Sequence, residues 1–236
     1  MPADSGRVAV VSGAGSGLGR EIALALGRRG HPLALLGRRR AALEETLSAS
    51  GGQGVTLACD VRDAAAVGEA ALEISSRFGA AEVVVPAAGV AAVAPLAETS
   101  PEIFHDVLAT NLIGAFHLMR AFLPAMIERR RGFLVPILSA AARRGFPGWS
   151  AYCASKWGLA GLVAALREEL RSTGVRVTAL YPGATATPLW DGLPGEWDRR
   201  AMIPAGEVAR AVVFALEADD RAALGELHIA PAGGDL

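Results

Sequence analysis

The sequence has few of the residues and segments that mark several large classes of protein. Its two cysteines, Cys59 and Cys153, share no C-x-x-C spacing, so buried thiols are expected and a disulfide is not. Its four histidines are scattered without metal-ligand spacing, so no metal site is predicted. The formal net charge of −1 gives no overall attraction to nucleic acid, and no nucleic-acid partner is expected.

Long apolar segments are also lacking. The run at residues 159–166 has eight residues, whereas a membrane span needs roughly 18. Residues 1–6 lack the basic and apolar regions of a signal peptide. These features predict a cytoplasmic protein with no membrane partner. The mean hydropathy of +0.34 is nevertheless high, which is typical of a sheet whose strands are buried on both faces.

Short β-like runs alternate with longer segments of helical spacing. The runs lie at residues 8–12, 33–36, 55–58, 83–85, 133–138, 175–180 and 227–230. Alternation of strand and helix predicts an α/β fold in three layers, with a doubly wound parallel sheet of seven strands covered by helices on both faces. No repeat or linker divides the chain, so one domain over residues 1–236 is predicted.

A glycine-rich loop joins the first run to a helical segment. It contains Gly13, Gly15, Ser16, Gly17, Leu18 and Gly19. Glycines let the backbone approach a pyrophosphate closely, and the N-terminus of the following helix offers unpaired N–H groups. The spacing is G-x-x-x-G-x-G, not the G-x-G-x-x-G of other dinucleotide sites. An ordinary glycine-rich turn is the alternative, but the position between strand and helix favours a dinucleotide-binding loop.

The second run leads into Gly37-Arg38-Arg39-Arg40, where an NAD site is expected to carry an acid for the ribose 2′-hydroxyl. Arg38 can instead bind a 2′-phosphate, so NADP is predicted as the cofactor and NAD is less favoured. A solvated helix N-terminus is the alternative. The third run ends at Asp60 and Val61, where Asp60 either lies near the adenine amino group or caps the next helix.

Four residues have the types and positions expected of catalytic groups. Tyr152 and Lys156 are four residues apart in a helical segment, so they share one face. A nearby ammonium lowers the pKa of a phenol, which alcohol oxidation requires, and in reduction the neutral phenol donates the proton. Ser139 ends the fifth run, at the sheet edge where a substrate is expected. Asn111 lies mid-helix, where an amide is unfavourable unless it bonds something.

Taken singly, a tyrosine and a lysine at this spacing are more often a surface pair. Together with the glycine loop, and with Ser139 thirteen residues before Tyr152, they resemble the short-chain dehydrogenase/reductase family over nearly the whole chain, in particular its NADP-preferring members. The resemblance implies a Rossmann-type fold and hydride transfer between NADP(H) and a small or medium carbonyl or alcohol. It implies that Tyr152 is the general acid/base and that Lys156 binds the nicotinamide ribose. Ser139 would orient the substrate, and Asn111 would hold a water in the proton relay.

The resemblance extends to the segment after the sixth run. Pro182, Gly183, Thr185 and Thr187 are similar to the family's P-G-x-x-x-T segment. This similarity implies that the Thr185 backbone and Thr187 fix the nicotinamide carboxamide. Residues 188–205 then correspond to a mobile substrate lid. The family resemblance also implies a homodimer or homotetramer, formed through the long helices that carry the catalytic residues.

Two departures from the family pattern motivate a second hypothesis. Where the family usually has N-N-A-G, this chain has Pro86-Ala87-Ala88-Gly89, which leaves Ala88 and Gly89 beside the cofactor but loses side chains that brace the loop. Pro136 falls within the fifth run, where a proline cannot donate a ladder hydrogen bond. The alternative function is therefore a catalytically weak or inactive NADP(H)-binding sensor or partner-binding protein.

Three residues near the predicted substrate end leave alternatives open. Trp190 either forms an apolar wall of the site or packs the lid onto the body of the protein. Arg143 and Arg144 lie in the segment that precedes Tyr152. They either attract an acidic substrate or are solvated surface arginines.

Overall fold

A parallel sheet of six strands forms the centre of the protein, in the order β3-β2-β1-β4-β5-β6. Its strands are β1 (Ala9–Ser12), β2 (Leu33–Gly37), β3 (Gly54–Ala58), β4 (Val83–Val85), β5 (Gly132–Leu134) and β6 (Val175–Val177). This computed structural model describes residues 7–219 and 221–234. Both ends of the predicted 1–236 domain, and the N-terminal segment analysed for a signal peptide, lie outside the described residues.

Helices cover both faces of the sheet. They are α1 (Gly17–Gly27), α2 (Arg40–Ser50), α3 (Ala64–Phe78), α4 (Pro101–Leu108), α5 (Gly114–Glu128), α6 (Ser150–Glu169) and α7 (Ala205–Glu217). Successive strand residues point to opposite faces, so Val10 packs in one core cluster with α3, α5 and α6. Its neighbour Val11 packs in the other cluster with α1, α2 and α7. The predicted three-layer, doubly wound arrangement is confirmed.

The strand count differs from the prediction. The sixth predicted run is divided at Thr178 into β6 and β7 (Ala179–Pro182), and the last run, β10 (Glu226–Ile229), pairs in parallel with β7 as a separate two-stranded sheet. The prediction of seven strands in one sheet is therefore wrong by one strand.

Pro136 accounts for the division. Along this ladder the Thr178 N–H donates to the Leu134 carbonyl (3.0 Å) and the Leu180 N–H donates to the Pro136 carbonyl (3.1 Å). The Leu138 N–H then donates to the Leu180 carbonyl (2.8 Å). In this alternation the Thr178 carbonyl would receive the N–H of residue 136, which proline lacks. The predicted fifth run therefore ends as a strand at Leu134, although the chain continues beside β7.

One continuous helix contains α4 and α5, joined by a π-helical turn at Ala109–Ile113 that carries Asn111. By length and composition alone this helix, Pro101–Glu128, could span a membrane. Within its most apolar stretch of 18 residues, 44% is buried inside the protein. Leu118, Phe122 and Met126 pack into the core. The apolar side chains of this helix therefore pack in the core on one face of the central sheet.

The strand order reverses between β1 and β4, which opens a crevice beyond the carboxyl ends of these strands. A second feature borders the same edge: the two-residue strands β8 (Thr185–Ala186) and β9 (Ile203–Pro204) pair in parallel. They bracket most of the predicted lid at residues 188–205, so this segment is attached to the body at both ends. The sequence did not predict this pair.

Candidate active site

The glycine loop is tightly packed. Gly13 has a φ of +67°, and a Cβ on it would lie 2.8 Å from the Ala88 Cα. A Cβ on Gly19 would lie 2.4 Å from the Gly13 carbonyl oxygen. Both positions therefore require glycine. Gly19 packs beneath the loop and is not among the described residues that line the cleft above it.

A cleft of about 560 Å³ runs from this loop along the carboxyl edge of the sheet to Tyr152 and Lys156. The predicted site residues that line it are Gly13, Gly15, Ser16, Gly17, Leu18, Arg38, Asp60, Val61, Ala88, Gly89, Tyr152, Lys156 and Thr187. Ligand sites occupy roughly 300–1,000 Å³. The cleft therefore fits a dinucleotide in size.

Arginines gather at one end of this cleft. Arg38 and Arg39 line it, and α2 begins at Arg40 with no acidic residue in its first turn. A cation at a helix N-terminus is unfavourable by roughly 0.3–1 kcal/mol, because it meets the positive end of the helix dipole. The arrangement therefore suits an anionic ligand that offsets this repulsion.

Asp60 lines the same end and is paired with Arg62, whose Nη2 lies 2.7 Å from its Oδ2. Hydrogen bonding from Arg62 holds the pKa of this carboxyl below its ordinary value, so it stays ionised. The capping interpretation of Asp60 is wrong, because Asp63 caps α3 by accepting from the N–H of Ala65 (2.8 Å) and of Ala66 (3.2 Å).

The loop at Pro86-Ala87-Ala88-Gly89 is braced from another element. The buried Ser12 hydroxyl, at the end of β1, accepts hydrogen bonds from the N–H of Ala87 (3.1 Å) and of Ala88 (3.2 Å). Ser12 therefore holds the loop that lacks the family's asparagines. The sequence analysis missed this residue, although a polar side chain ending a buried strand beside the glycine loop was a usable signal.

Asn111 holds the far end of the same loop. Its Oδ1 accepts from the Val90 N–H (2.8 Å), and its Nδ2 donates to the Val90 carbonyl (2.9 Å) and to Ser155 Oγ (3.0 Å). These bonds supply the partners that a mid-helix amide needs. Asn111 is 1% exposed and is not among the described residues lining the cleft. Asn111 therefore holds three elements together, which are the π turn, α6, and the loop that follows β4.

Tyr152 and Lys156 line the cleft, and Ser139 joins them from an adjoining pocket. Lys156 Nζ donates to the Ile137 carbonyl (2.9 Å) and lies 5.7 Å from the centroid of the Tyr152 ring. The Ser139 hydroxyl accepts from the Ala141 N–H (3.1 Å) and hydrogen-bonds with the Tyr152 phenol. The helical spacing and the strand end therefore place the three predicted groups together.

Burial dominates the electrostatics of this group. It raises the pKa of Tyr152, and the hydrogen bond with Ser139 partly offsets that rise. Burial lowers the pKa of Lys156 from 10.5 to about 8. At neutral pH the phenol is therefore protonated and the ammonium is mostly charged.

A smaller pocket of about 130 Å³ opens beside Tyr152 and shares Thr187 with the cleft. Ser139, Pro182, Gly183 and Thr185 line this pocket and are not among the described residues of the larger cleft. The Thr185 backbone is predicted to bind the carboxamide, but its carbonyl already accepts a hydrogen bond from Trp190 Nε1 (2.8 Å). Trp190 thus fulfils both interpretations, since it lines the pocket and fixes the lid to the body.

The two arginines that precede α6 are engaged elsewhere. Arg143 Nη2 donates to the Tyr181 hydroxyl (2.8 Å) and to Glu226 (2.6 Å). The Arg144 guanidinium lies 4.5 Å from the centroid of the Phe146 ring. Neither arginine is among the described residues of the pocket. Both arginines are exposed, as the surface interpretation from the sequence expects, and Arg143 also ties the segment after Ser139 to β10.

Comparison with known proteins identifies the family. The family model for short chain dehydrogenase matches residues 7–196. The chain belongs to the short-chain dehydrogenase family. Sepiapterin reductase of Chlorobaculum tepidum is 34% identical, over 97% of this chain and 98% of its own length. Glycine betaine reductase of Emericella nidulans is 36% identical over 96% of this chain, which spans 19% of that protein's length.

A solved structure supports the same assignment. The alcohol dehydrogenase from the archaeon Thermococcus sibiricus, complexed with 5-hydroxy-NADP, superposes on this short-chain dehydrogenase with a TM-score of 0.88. The two chains are 31% identical, and the match covers 96% of this chain and 97% of the other. The resemblance found in the sequence is confirmed, and the protein is an oxidoreductase of this family.

Proposed function

We propose that this short-chain dehydrogenase transfers a hydride between NADP(H) and a small or medium carbonyl or alcohol, with Tyr152 as the general acid/base. One observation carries the proposal: the Tyr152 phenol stands where the cleft and the pocket meet, with the Ser139 hydroxyl bonded to it and Lys156 beside its ring. The nicotinamide, when bound, supplies or accepts the hydride. All other steps belong to residues of this chain.

Each residue has a role that follows from its contacts. The Ala141 N–H occupies one acceptor site of the Ser139 hydroxyl, and the same hydroxyl bonds the Tyr152 phenol. A substrate carbonyl oxygen that enters beside Tyr152 would take the Ser139 proton in place of the phenol. The protonated Tyr152 is the form that donates to that oxygen during reduction. Lys156 is placed to hold the nicotinamide ribose and, as a cation, to lower the phenol pKa for the oxidative direction.

Asn111 is proposed as a positioning residue that also contributes to proton relay. Its Oδ1 accepts one hydrogen bond from Val90 and keeps a second acceptor site, since a carbonyl oxygen has two lone pairs. A water held there is the family role implied by the sequence. Thr187 lies beside Gly17, with its Cβ 3.5 Å from where a Gly17 Cβ would stand, and is proposed to fix the carboxamide.

The choice of NADP rests on the arginines. Relatives of this chain include an enzyme named for NAD(+), so family membership leaves the coenzyme open. Arg38 and Arg39 line the adenosine end of the cleft, where their charge suits a 2′-phosphate.

Replacing Tyr152 tests the proposal. We expect Tyr152→Phe to lower kcat for NADPH-dependent carbonyl reduction by about 10²–10⁴-fold, the usual loss for a general acid, with the Kd for NADPH changed less than about twofold since the ring stays. Tyr181→Phe is the matched control, because Tyr181 bonds Arg143 and Glu226, and it should retain activity. Full activity in Tyr152→Phe would contradict the mechanism. NADPH binding without turnover of any carbonyl would favour the sensor hypothesis.

We also propose that the protein is a homodimer or homotetramer. Ile113, Phe116 and Trp157 are each more than 40% exposed on the helices that carry the catalytic residues. Exposed apolar side chains on these helices support an interface between copies. The cytoplasmic location stays a prediction of the sequence.

A further inference from the structure

We infer that the pocket beside Tyr152 takes a neutral carbonyl compound bearing a single aromatic ring. The inference rests on the proposed function and adds the substrate class to it. Three tryptophans carry it: Trp149, which precedes α6, and Trp190 and Trp197 from the lid. They line the pocket together with Phe146.

The tryptophan rings form mutually inclined walls. The Trp149 centroid lies 5.6 Å from that of Trp190 and 6.1 Å from that of Trp197, at interplanar angles of 63° and 77°. Trp149 also contacts the Tyr152 ring edge-on, with centroids 5.5 Å apart. Aromatic rings prefer such edge-to-face contacts because their edges and faces carry opposite partial charge. A ring that enters the pocket therefore meets faces and edges of matching polarity next to the proton donor.

These walls are held in place before a substrate arrives. Trp190 Nε1 donates to the Thr185 carbonyl (2.8 Å). Arg199 donates to the Thr187 carbonyl (2.6 Å) and to Asp191 (2.8 Å), which ties the lid to the body. A preorganised wall binds more tightly because less conformational entropy is lost on binding.

The pocket also discriminates by charge. Among the described residues that line it, none is Asp, Glu, Lys, Arg or His. An ionised carboxylate buried there without a partner would be strongly disfavoured, and Arg143 is engaged by Glu226 and Tyr181. Acidic substrates are therefore excluded. Polyols are disfavoured as well, because aromatic walls offer few partners for several hydroxyl groups.

The size of the pocket limits the substrate to one ring. Its volume is about 130 Å³, and an apolar protein cavity of about 150 Å³ binds benzene. With a ring in the pocket, the attached carbonyl lies between Ser139 and Tyr152, which line its mouth. Reduction breaks the C=O π bond. A C–H bond forms with the hydride that leaves C4 of NADPH, which is thereby oxidised to NADP⁺. An O–H bond forms with the proton that leaves the Tyr152 phenol, and the phenolate then takes a proton from solvent.

Four carbonyl probes test the substrate class in the whole protein with NADPH. Acetophenone is the neutral aryl ketone, and 2-butanone lacks the ring. Phenylglyoxylate has the same ring with a carboxylate in place of the methyl group, and betaine aldehyde carries a cation that aromatic faces also attract. We expect kcat/KM for acetophenone to exceed that of each other probe by about tenfold or more, since ring contacts contribute beyond their area. A preference for any of the other three probes would overturn the inference.

A tryptophan variant tests whether the lid wall is responsible. Trp197→Leu should lower kcat/KM for acetophenone by about tenfold, with changes below about twofold for 2-butanone and for the Kd of NADPH. Phe214→Leu is the matched control, because Phe214 is exposed on α7 and is not among the described residues of the pocket. Equal losses for both ketones in Trp197→Leu would contradict the role assigned to the ring.

Binding without turnover separates this inference from the proposed function. Ligand-observed NMR on Tyr152→Phe should show acetophenone binding that Trp197→Leu weakens in the same background. If acetophenone binds in this way but no ketone is reduced by the unaltered protein, the substrate class holds and the proposed function fails. If 2-butanone and acetophenone are reduced equally well, the proposed function holds and the substrate class fails. Absence of acetophenone binding would also overturn the inference.

Discussion

Ser12 illustrates what a single side chain contributes to this site. Its hydroxyl satisfies two backbone N–H groups of the loop beside the cofactor cleft. A buried donor left without an acceptor costs about 1–3 kcal/mol. The loop at Pro86-Ala87-Ala88-Gly89 therefore does not need the family's asparagines to stay in place, which removes the structural reason for expecting an inactive protein.

At the level of one residue, the proposed preference for NADP rests on Arg38, which lines the cleft. We expect Arg38→Ala to raise the Kd for NADPH by about tenfold or more, because a charge-assisted bond to phosphate contributes roughly 1.5–3 kcal/mol. The Kd for NADH should change little. Arg40→Ala is the control, since Arg40 is exposed and is not among the described residues of the cleft. Equal weakening of NADPH and NADH by Arg38→Ala would remove the 2′-phosphate assignment.

Lys156 makes stability depend on pH. Its pKa in the folded protein, about 8, lies below its ordinary 10.5, so between these values the unfolded chain binds more protons and stability rises with pH. Below pH 8 the full penalty of the buried charge is present. Lys156→Met removes the buried charge, so we expect its free energy of unfolding to exceed that of the unaltered protein most at pH 7. The difference should shrink by on the order of 3 kcal/mol towards pH 10.5. Urea unfolding at both pH values measures it, and a constant difference would contradict the depressed pKa.

Residue types and spacing were enough to predict that the proposed catalytic groups lie close together. Tyr152 and Lys156 share a helix face by spacing alone, and Ser139 reaches them because it ends a run beside the same sheet edge. The partner of Asp60 was not predicted, because Arg62 lies only two residues away and either side chain could have turned to solvent. Such choices depend on tertiary contacts that a single sequence does not specify.

At the scale of elements, the lid depends on its ties to the body. Arg199→Ala removes the bonds to Thr187 and Asp191, and we expect KM for the carbonyl substrate to rise about tenfold, since charge-assisted bonds contribute roughly 1.5–3 kcal/mol. The Kd for NADPH should change much less. Arg200→Ala, at the exposed neighbouring position, is the control. An unchanged KM in Arg199→Ala would show that the lid holds its position without these bonds.

Elements with strong periodicity were predicted well, and those set by pairing were not. The helix that carries Asn111 follows from its apolar spacing, but its π turn at Ala109–Ile113 leaves no pattern in the sequence. The strands β8 and β9 are two residues long, too short for any alternation. Pro136 is unusual in the sequence, but its effect follows only from the register, which places its nitrogen opposite the Thr178 carbonyl.

For the whole molecule, the expected assembly is a dimer or tetramer. Phe116→Glu places a charge among the exposed apolar side chains of these helices, which include Ile113 and Trp157. A charge buried without a partner strongly disfavours an interface, so we expect the variant to be monomeric where the unaltered protein is not. Light scattering measures this difference. A monomeric unaltered protein would contradict the proposed assembly.

Transfer of deuterium tests the central claim most directly. The protein is incubated with NADPH carrying deuterium at C4 of the nicotinamide, on either face in turn, and with acetophenone and a panel of other carbonyl compounds. Mass spectrometry then measures the label in the alcohol formed. We predict that the unaltered protein places one deuterium on the carbinol carbon from one face only, and that Tyr152→Phe does so at a rate lower by about 10²–10⁴-fold. Bound NADPH that transfers no deuterium to any carbonyl compound would contradict the account.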